Sequence, residues 1–442
     1  MRLPLIPLIY RPLLAFILTL APGALAQSSP INDGPLITEA QIAQWLADDP
    51  AILRAAAQKR GLEAEAEQMA HSGYEWTASY SRQEREYEQP EMAGMDKSRE
   101  WNFELERSLR LPGKGAASRQ QADAWRKLAD ANEQANIRNT IGELIDAYLD
   151  ALHLTASFAL LQQELDFAQT NLRAVEHRIK AGDAPALDAR LAAAETQALA
   201  REHQQMRQQA RASWTLFQSR YPSAPLSDFL PLVQDLSTGT ATPDSKILKA
   251  IPTPTPLTGD LAHWQERLLA NQPDLKQADA SLKAASAAAD KARHDRIPDP
   301  SIALFNGRES FGQENIIGLR LSMPIPGSHR SQTLRQRHAE HAAAQADREI
   351  LYRSVRAASE NLVRRADSEF RRWQLARQMA DNLAENVRLL QKAYRLGEQD
   401  LQGLLLGQQQ HTRAALAEVE SRVEALRSQY QVRLAAGELN PF

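Results

Sequence analysis

The chain has 442 residues, a formal net charge of −3 and no cysteine. This charge balance, without a basic cluster interleaved with aromatic residues, excludes a nucleic-acid-binding surface. The absence of cysteine excludes a disulfide-stabilised scaffold and a lipid attached to an N-terminal cysteine. Only 6% of the residues are aromatic, and alanine, glutamine and arginine are abundant, which favours long helices with narrow apolar seams.

The N-terminal segment has the pattern of a secretory signal peptide. Arg2 and Arg11 flank its start, residues 13–20 form an apolar core, and Ala24-Leu25-Ala26 offers a small-x-small cleavage site. The alternative, a retained anchor helix, is disfavoured because prolines interrupt a run that is already short. We therefore expect residues 1–26 to be removed from an exported protein.

No run of about 18 apolar residues follows this segment, so we expect no membrane-spanning helix, and any entry into a membrane must use strands. A helix is predicted from Asp49-Pro50 to about residue 71. Beyond it the hydrophobic period changes to two, which predicts a strand hairpin over about 74–109. The alternating apolar residues are Tyr74, Trp76, Ala78 and Tyr80, then Trp101, Phe103 and Leu105.

Residues 114–180 form the longest helical pattern, and their second half carries a heptad seam. At about 1.5 Å per residue this helix reaches roughly 100 Å, far beyond the diameter of a globular domain, so it must pack against other rods. The seam residues are Leu154, Phe158, Leu161, Leu165, Ala168, Leu172, Val175 and Ile179.

A return helix is predicted over 185–220, which completes a first repeat over 27–221. Residues 222–257 then hold seven of the 23 prolines. This composition predicts an irregular connector that wraps the rods at mid-height, with a disordered linker as the alternative.

The second half, residues 258–442, repeats the pattern of the first. Leu111-Pro112-Gly113 and Ile325-Pro326-Gly327 precede the two long helices and lie 214 residues apart. The breaks that end these helices, Lys180-Ala181-Gly182-Asp183 and Arg395-Leu396-Gly397-Glu398, lie 215 residues apart. We interpret the two offsets as an internal two-fold sequence repeat. The predicted elements are a helix to about residue 293, a strand hairpin over about 301–323, a long helix over 328–395 and a return helix over 400–436.

The strand hairpins carry a prediction about quaternary structure. Strands of about 9–11 residues cross a bilayer when tilted, and alternating faces suit a barrel with lipid outside and water inside. Four strands cannot close such a barrel, yet a spanning sheet must have no open edge. The sequence therefore predicts that several chains assemble. The alternative is a small soluble β-flap at each hairpin.

This order of elements resembles the outer membrane efflux protein family, whose best-known member is TolC. The resemblance covers the mature chain and rests on the duplicated architecture and on two tip motifs, residues 180–188 and 394–401. It implies an α plus membrane β fold, in which a homotrimer forms one 12-stranded β-barrel in the outer membrane. A long α-helical coiled-coil barrel continues into the periplasm. Pro112, Gly113, Pro326 and Gly327 are then the barrel-to-helix turns.

The resemblance also implies a function, the outer-membrane exit duct of a tripartite efflux pump in a Gram-negative cell. The tip turns, with Gly182, Asp183 and Gly397, would dock on a periplasmic membrane-fusion adaptor, and an inner-membrane transporter of the RND or ABC type would supply energy. The cargo would be heavy-metal cations or drugs. The alternative is a periplasmic coiled-coil adaptor without a barrel, although adaptors have one helical hairpin rather than two.

The tip motifs further imply a gate. In TolC-like proteins an aspartate six residues after the first tip glycine bonds a tyrosine three residues before the second. Those places hold Asp188 and Tyr394, and a hydrogen bond between them would draw the tips inward and close the tunnel. The alternative places Asp188 on a solvated face and Tyr394 in the seam.

One departure from the family pattern concerns the narrowest point of the tunnel. The best-known member carries two aspartates there, whereas the matching positions hold Gly403 and Leu406. Glu398 and Asp400 are the acidic residues nearby, and with the pair above they complete the gate candidates.

Other chemistry is only weakly indicated. His338 and His341 lie three residues apart on the second long helix and could bind a divalent metal, but a solvated helix face is the simpler interpretation. The sequence has no His-Glu-x-x-His, Gly-x-Ser-x-Gly or Gly-x4-Gly-Lys motif. We expect neither enzyme activity nor a cofactor.

Overall fold

The computed structural model describes residues 37–71, 73–86, 97–224, 236, 251–439 and 441. The predicted signal peptide lies outside the described residues. So do the loop of the first hairpin, residues 87–96, and most of the predicted connector, residues 225–235 and 237–250.

Most of the described residues are helical. The helices are α1 (Glu39–Trp45), α2 (Pro50–Ala70), α3 (Lys114–Lys180), α4 (Ala186–Arg220), α5 (Leu261–Asn271), α6 (Pro273–His294), α7 (Ser328–Leu396) and α8 (Leu401–Ala435). The strands are β1 (Thr77–Glu86), β2 (Lys97–Ser108), β3 (Ser301–Glu309) and β4 (Glu314–Ser322).

Local sequence explains where several helices begin. Asp49 accepts a hydrogen bond from the N–H of Ala51 at 2.7 Å, and Pro50 takes the first position of α2, where its missing N–H costs nothing. Thr38 and Gln41 form a capping box at α1. Each of these side chains satisfies a backbone group that the first helical turn leaves unpaired.

The long helix α3 is the centre of the fold. It packs against α2, α4, α6 and α8, while α7 packs against α5, α6 and α8. The predicted seam of α3 lies in these contacts, because Phe158, Leu161 and Val175 are fully buried. By contrast, α7 leaves apolar side chains more than half exposed along its length, namely Ile350, Leu375, Met379 and Leu389.

An aromatic cluster ties α1, α3 and α4 together. Trp45 contacts Tyr148 edge-on at 5.3 Å between ring centroids, and Phe217 stacks between Trp214 and Tyr221 at 5.7 and 5.2 Å. The indole N–H of Trp214 donates to Thr155 Oγ1 at 2.8 Å. These rings bury large apolar areas and fix the angle at which α4 returns along α3.

The four strands form one antiparallel sheet in the order β1-β2-β3-β4. The sequence predicts two separate hairpins, but β2 also pairs with β3, so that Leu105 lies opposite Leu304. The second pair of strands is longer at its turn end than predicted, since β3 continues to Glu309. The two halves of the chain therefore share one ribbon above the helices.

One 18-residue window of α3 is apolar and long enough to cross a membrane by composition alone. The expectation that no such run follows the signal is therefore wrong. However, 67% of that window is buried inside the chain, as expected for a helix packed on four others.

Candidate functional site

One face of the sheet is apolar and exposed. Register is continuous across all four strands, so side chains two residues apart share a face. Leu304 lies between Leu105 and Leu319, and Leu304 and Leu319 are 54% and 66% exposed. We define the apolar face by Ala78, Tyr80, Phe103, Leu105, Ile302, Leu304, Ile317, Leu319 and Leu321.

The opposite face of the sheet is polar. Arg320 donates to both carboxylate oxygens of Glu104 at 2.8 and 2.9 Å. Arg85 Nη2 lies 3.1 Å from the buried Glu100 carboxylate. Gly318 is needed here, because a Cβ atom at this position would lie 2.3 Å from the ring of Phe305. The sheet thus separates an apolar surface from a charged one, as the alternating sequence predicts.

The sheet has two open edges in the part of the chain that the structure describes. β1 and β4 each pair on one side only. Their outer edges present unpaired N–H and C=O groups, which pair readily with another strand.

The first junction between sheet and helix is a buried ionic cluster. Lys114 Nζ lies 2.9 Å from Asp299 Oδ1, and both side chains are about 95% buried. The N–H of Leu111 donates to the same oxygen at 2.9 Å, and the Tyr74 hydroxyl donates to Oδ2. Lys114 also donates to the carbonyl of Ile297. We call Tyr74, Leu111, Lys114, Ile297 and Asp299 the junction cluster.

The cluster changes the acidity of two of its members. Burial raises the pKa of Tyr74 to about 12, and its hydrogen bond to the Asp299 carboxylate adds to the effect. Burial alone would raise the pKa of Asp299, but the hydrogen bonds from Tyr74, the Leu111 N–H and Lys114 outweigh it and lower that pKa. The carboxylate therefore stays ionised and the phenol stays protonated over the physiological range.

The two Pro-Gly turns differ in conformation. Gly113 has φ +87°, a left-handed value, and a Cβ there would lie 3.4 Å from the His294 ring. Gly327 has φ −104° and extended backbone. Only the first turn is followed by a buried lysine, since Ser328 is exposed. The predicted equivalence of these turns in sequence does not extend to their geometry.

Both tip turns end their long helices in the same way. Gly182 has φ +83°, and the Asp183 N–H reaches back to the Arg178 carbonyl at 2.8 Å. Gly397 has φ +78°, and the Glu398 N–H reaches the Ala393 carbonyl at 2.9 Å. Each is the left-handed glycine of a Schellman motif, which a residue with a Cβ adopts only at a cost.

Tyr394 lies in a small apolar cluster where all four long helices meet at the tip. The cluster is built around Val175, Ala192 and Leu401. The Arg178 guanidinium lies 5.1 Å from the centre of the Tyr394 ring. The Tyr394 hydroxyl is buried and has no hydrogen-bond partner. The predicted bond to Asp188 is therefore not formed within one chain in this conformation.

The remaining predicted tip residues are exposed. Asp183, Glu398 and Asp400 all face solvent. Asp400 already has a structural role, because its carboxylate caps α8 by accepting from the Gly403 N–H at 2.8 Å. Apolar side chains are exposed beside these acids, namely Leu187, Leu191, Leu396 and Leu406.

Sequence reasoning missed a buried polar contact between α3 and α8. Glu164, 8% exposed, accepts a hydrogen bond from Gln408 Nε2 at 2.9 Å, and His411 Nδ1 lies 3.3 Å from its other oxygen. Burial alone would raise the pKa of Glu164, but His411 and Gln408 lower it. A carboxylate beside the predicted seam was the available signal. In the described residues no three side chains are placed to hold a metal ion, and His338 and His341 lie along the α7 surface.

No protein-family model matches the sequence, and no curated protein matches it significantly. Solved structures do match over nearly the whole length. The outer membrane protein VceC from Vibrio cholerae aligns with a TM-score of 0.69 and 16% identity, over 90% of this chain and 95% of that chain. The CmeC outer membrane channel of Campylobacter jejuni aligns with a TM-score of 0.67 and 16% identity, over 94% and 91%.

A third match is the open state of the MtrE outer membrane channel of Neisseria gonorrhoeae, with a TM-score of 0.63 and 17% identity, over 94% of both chains. The class that fold and surfaces define is thus the channel with a strand ribbon on long helical hairpins. In particular, the chain has the fold of the bacterial outer-membrane efflux channels, and the resemblance to the TolC family is confirmed at the level of the fold.

Proposed function

We propose that three copies of this chain form an exit duct in the outer membrane of a Gram-negative cell, continued by its helices into the periplasm. The duct is passive, because a water-filled tube spares a polar substrate the crossing of lipid. An inner-membrane transporter, reached through a periplasmic adaptor, supplies the energy. The similarity of fold to outer-membrane channels supports this proposal.

The observation that carries the proposal is the exposed apolar face on a sheet with two open edges. Water would penalise both features, whereas lipid favours the apolar face and tolerates a sheet only when its edges are closed. Three sheets of four strands join edge to edge into one 12-stranded barrel. The polar face, with Glu104 and Arg320, then lines the lumen.

The height of the apolar face agrees with this assignment. From Leu109 to Trp101 the strand rises roughly 26 Å at about 3.3 Å per residue. A tilt of about 40° reduces this to roughly 20 Å, close to the apolar band of about 25 Å on outer-membrane barrels. Trp76 and Trp101 mark its two rims, where tryptophan is enriched in membrane proteins.

A matched pair of variants tests the proposal. Leu304→Arg places a charge in the middle of the apolar face, at a cost of about 2–4 kcal/mol in lipid, while Ser79→Arg places the same charge on the polar face. We expect wild type and Ser79→Arg to fractionate with the outer membrane as heat-resistant trimers that conduct in a planar bilayer. Leu304→Arg should lose insertion. Release of the wild-type chain into the periplasmic extract would instead identify a soluble adaptor.

We further propose that the tips dock on the adaptor. The tip turns at Gly182 and Gly397 are exposed, and the four exposed leucines beside them form an apolar patch among acidic side chains. Such patches rimmed by polar groups are typical of protein interaction sites. The cargo is either heavy-metal cations or drugs, and the sensitivity of a deletion strain to each class distinguishes them.

The gate between Asp188 and Tyr394 also remains a proposal. A buried hydroxyl without a partner costs about 1–3 kcal/mol, so Tyr394 gains from any movement that brings an acceptor to it. Asp188 begins α4 one turn beyond the tip, and its side chain accepts no hydrogen bond in the described part of the chain. A small shift of the tips would bring the pair together in the closed state.

A further inference from the structure

The far rim of the apolar face, at the end away from the helices, carries an unusual row of side chains. Arg82 in β1, Trp101 in β2 and Arg308 in β3 lie directly opposite one another. Alternation places all three on the apolar face, next to the row that holds Phe103 and Ile317. Two arginines therefore flank one tryptophan on the surface that would face lipid.

These two arginines have no acidic partner among the described residues. Both are exposed, and neither takes part in an ion pair, whereas most of the charged side chains around them do. In the next row Arg99 lies 3.5 Å from Glu84, and Lys97 lies 3.8 Å from the same carboxylate. The positive charge at Arg82 and Arg308 is thus left uncompensated by the chain.

The opposite rim provides a contrast. There Arg107 lies over the Trp76 ring at 5.3 Å from its centre, so the single arginine of that row is occupied by a cation–π contact. At the far rim the guanidinium groups stand on either side of the indole, roughly 10 Å apart across two strand spacings. Two such groups can each donate paired hydrogen bonds to phosphate oxygens.

We infer that Arg82 and Arg308, on either side of Trp101, bind the phosphate groups of a phosphorylated glycolipid in the outer leaflet. The inference rests on the proposed function, which places the apolar face in lipid and this rim at the outer surface. Charge complementarity selects an anionic headgroup. The continuous apolar face directly below the row selects a ligand with acyl chains, which a free anion lacks.

The test uses detergent-purified trimers and fluorescent lipid A, a glucosamine disaccharide with two phosphates and several acyl chains. The double variant Arg82→Gln/Arg308→Gln should bind it roughly 30-fold more weakly, about fivefold for each arginine. Arg107→Gln, which removes the same charge from the same face at the opposite rim, should bind like wild type. Dephosphorylated lipid A should bind wild type and the double variant equally.

Three outcomes would overturn the inference. The first is equal affinity of wild type and the double variant. The second is an equal loss in Arg107→Gln, which would indicate a general effect of charge. The third is full competition by inorganic phosphate, which would indicate a site for free anions. If these occur while the wild type still conducts in a bilayer, the duct stands and only the lipid site fails. A wild-type chain that does not insert would overturn both.

Discussion

Among single residues, Lys114 shows how the strands are held to the helices. Its ammonium group is buried against Asp299 at 2.9 Å, where the chain passes from sheet to rod. A buried ion pair adds little compared with apolar packing, but removing one partner leaves a buried charge alone. The sequence shows a lysine after a Pro-Gly turn and gives no sign of this role, because its partner lies 185 residues away in the chain.

We predict that Lys114→Met lowers the free energy of unfolding by about 3–5 kcal/mol, since Asp299 loses its cation. Urea titration followed by tryptophan fluorescence measures the change. Lys276→Met, at an exposed position, is the control and should stay within about 0.5 kcal/mol. Coincident titrations of the two variants would show that the junction cluster contributes nothing to stability.

Between helices, the contact of Glu164 on α3 with Gln408 and His411 on α8 makes stability depend on pH. The folded-state pKa of Glu164 is lowered. Its stabilising contribution is therefore fully present above the unfolded value of about 4.3, and it is lost as the pH falls through the lower, folded value.

We predict that Glu164→Gln lowers stability at pH 6 by about 1.5–3 kcal/mol, the contribution of a hydrogen bond to a charged group. It should also flatten the decline in stability between about pH 4.5 and 3 that this carboxylate causes in the wild type. Urea midpoints across this range measure both effects. Glu176→Gln, on an exposed face of the same helix, should retain the wild-type decline; an identical slope in Glu164→Gln would contradict the assignment.

The helices and strands show what the sequence could and could not predict. The rod over 114–180 has the same bounds in the structure, because a heptad seam without proline and a tip glycine define both ends locally. The pairing of β2 with β3 could not be predicted, since register between distant strands leaves no local pattern. The burial of Glu164 was missed for the same reason, as a lone acid in a charged helix is ordinary.

At the scale of the whole molecule, the proposed repeat is more regular in sequence than in structure. The rods α3 and α7 have nearly equal lengths, yet α3 is largely buried in one chain and α7 leaves a long face exposed. In the proposed trimer that exposed face packs against the neighbouring copy. The two halves therefore take different places, one central and one at the boundary between subunits.

Opening of the proposed tunnel is also a property of the whole molecule. We predict that Tyr394→Phe, which keeps the ring under Arg178 but removes the hydroxyl, raises the conductance of the resting channel in a planar bilayer. The lost bond to Asp188 would be worth about 1.5–3 kcal/mol in the closed state. Asp188→Asn should act in the same direction, whereas Asp183→Asn, at the exposed turn, should not. Unchanged conductance in Tyr394→Phe would exclude the latch.

The β2–β3 pairing also sets the order in which the protein can be made. The partners are roughly 200 residues apart in the chain, so β2 waits with an unpaired edge until about two thirds of the polypeptide has been secreted. Distant pairings of this kind form slowly, and a waiting edge invites wrong partners. Biogenesis of this protein should therefore depend on a chaperone that shields the β1–β2 hairpin until β3 arrives.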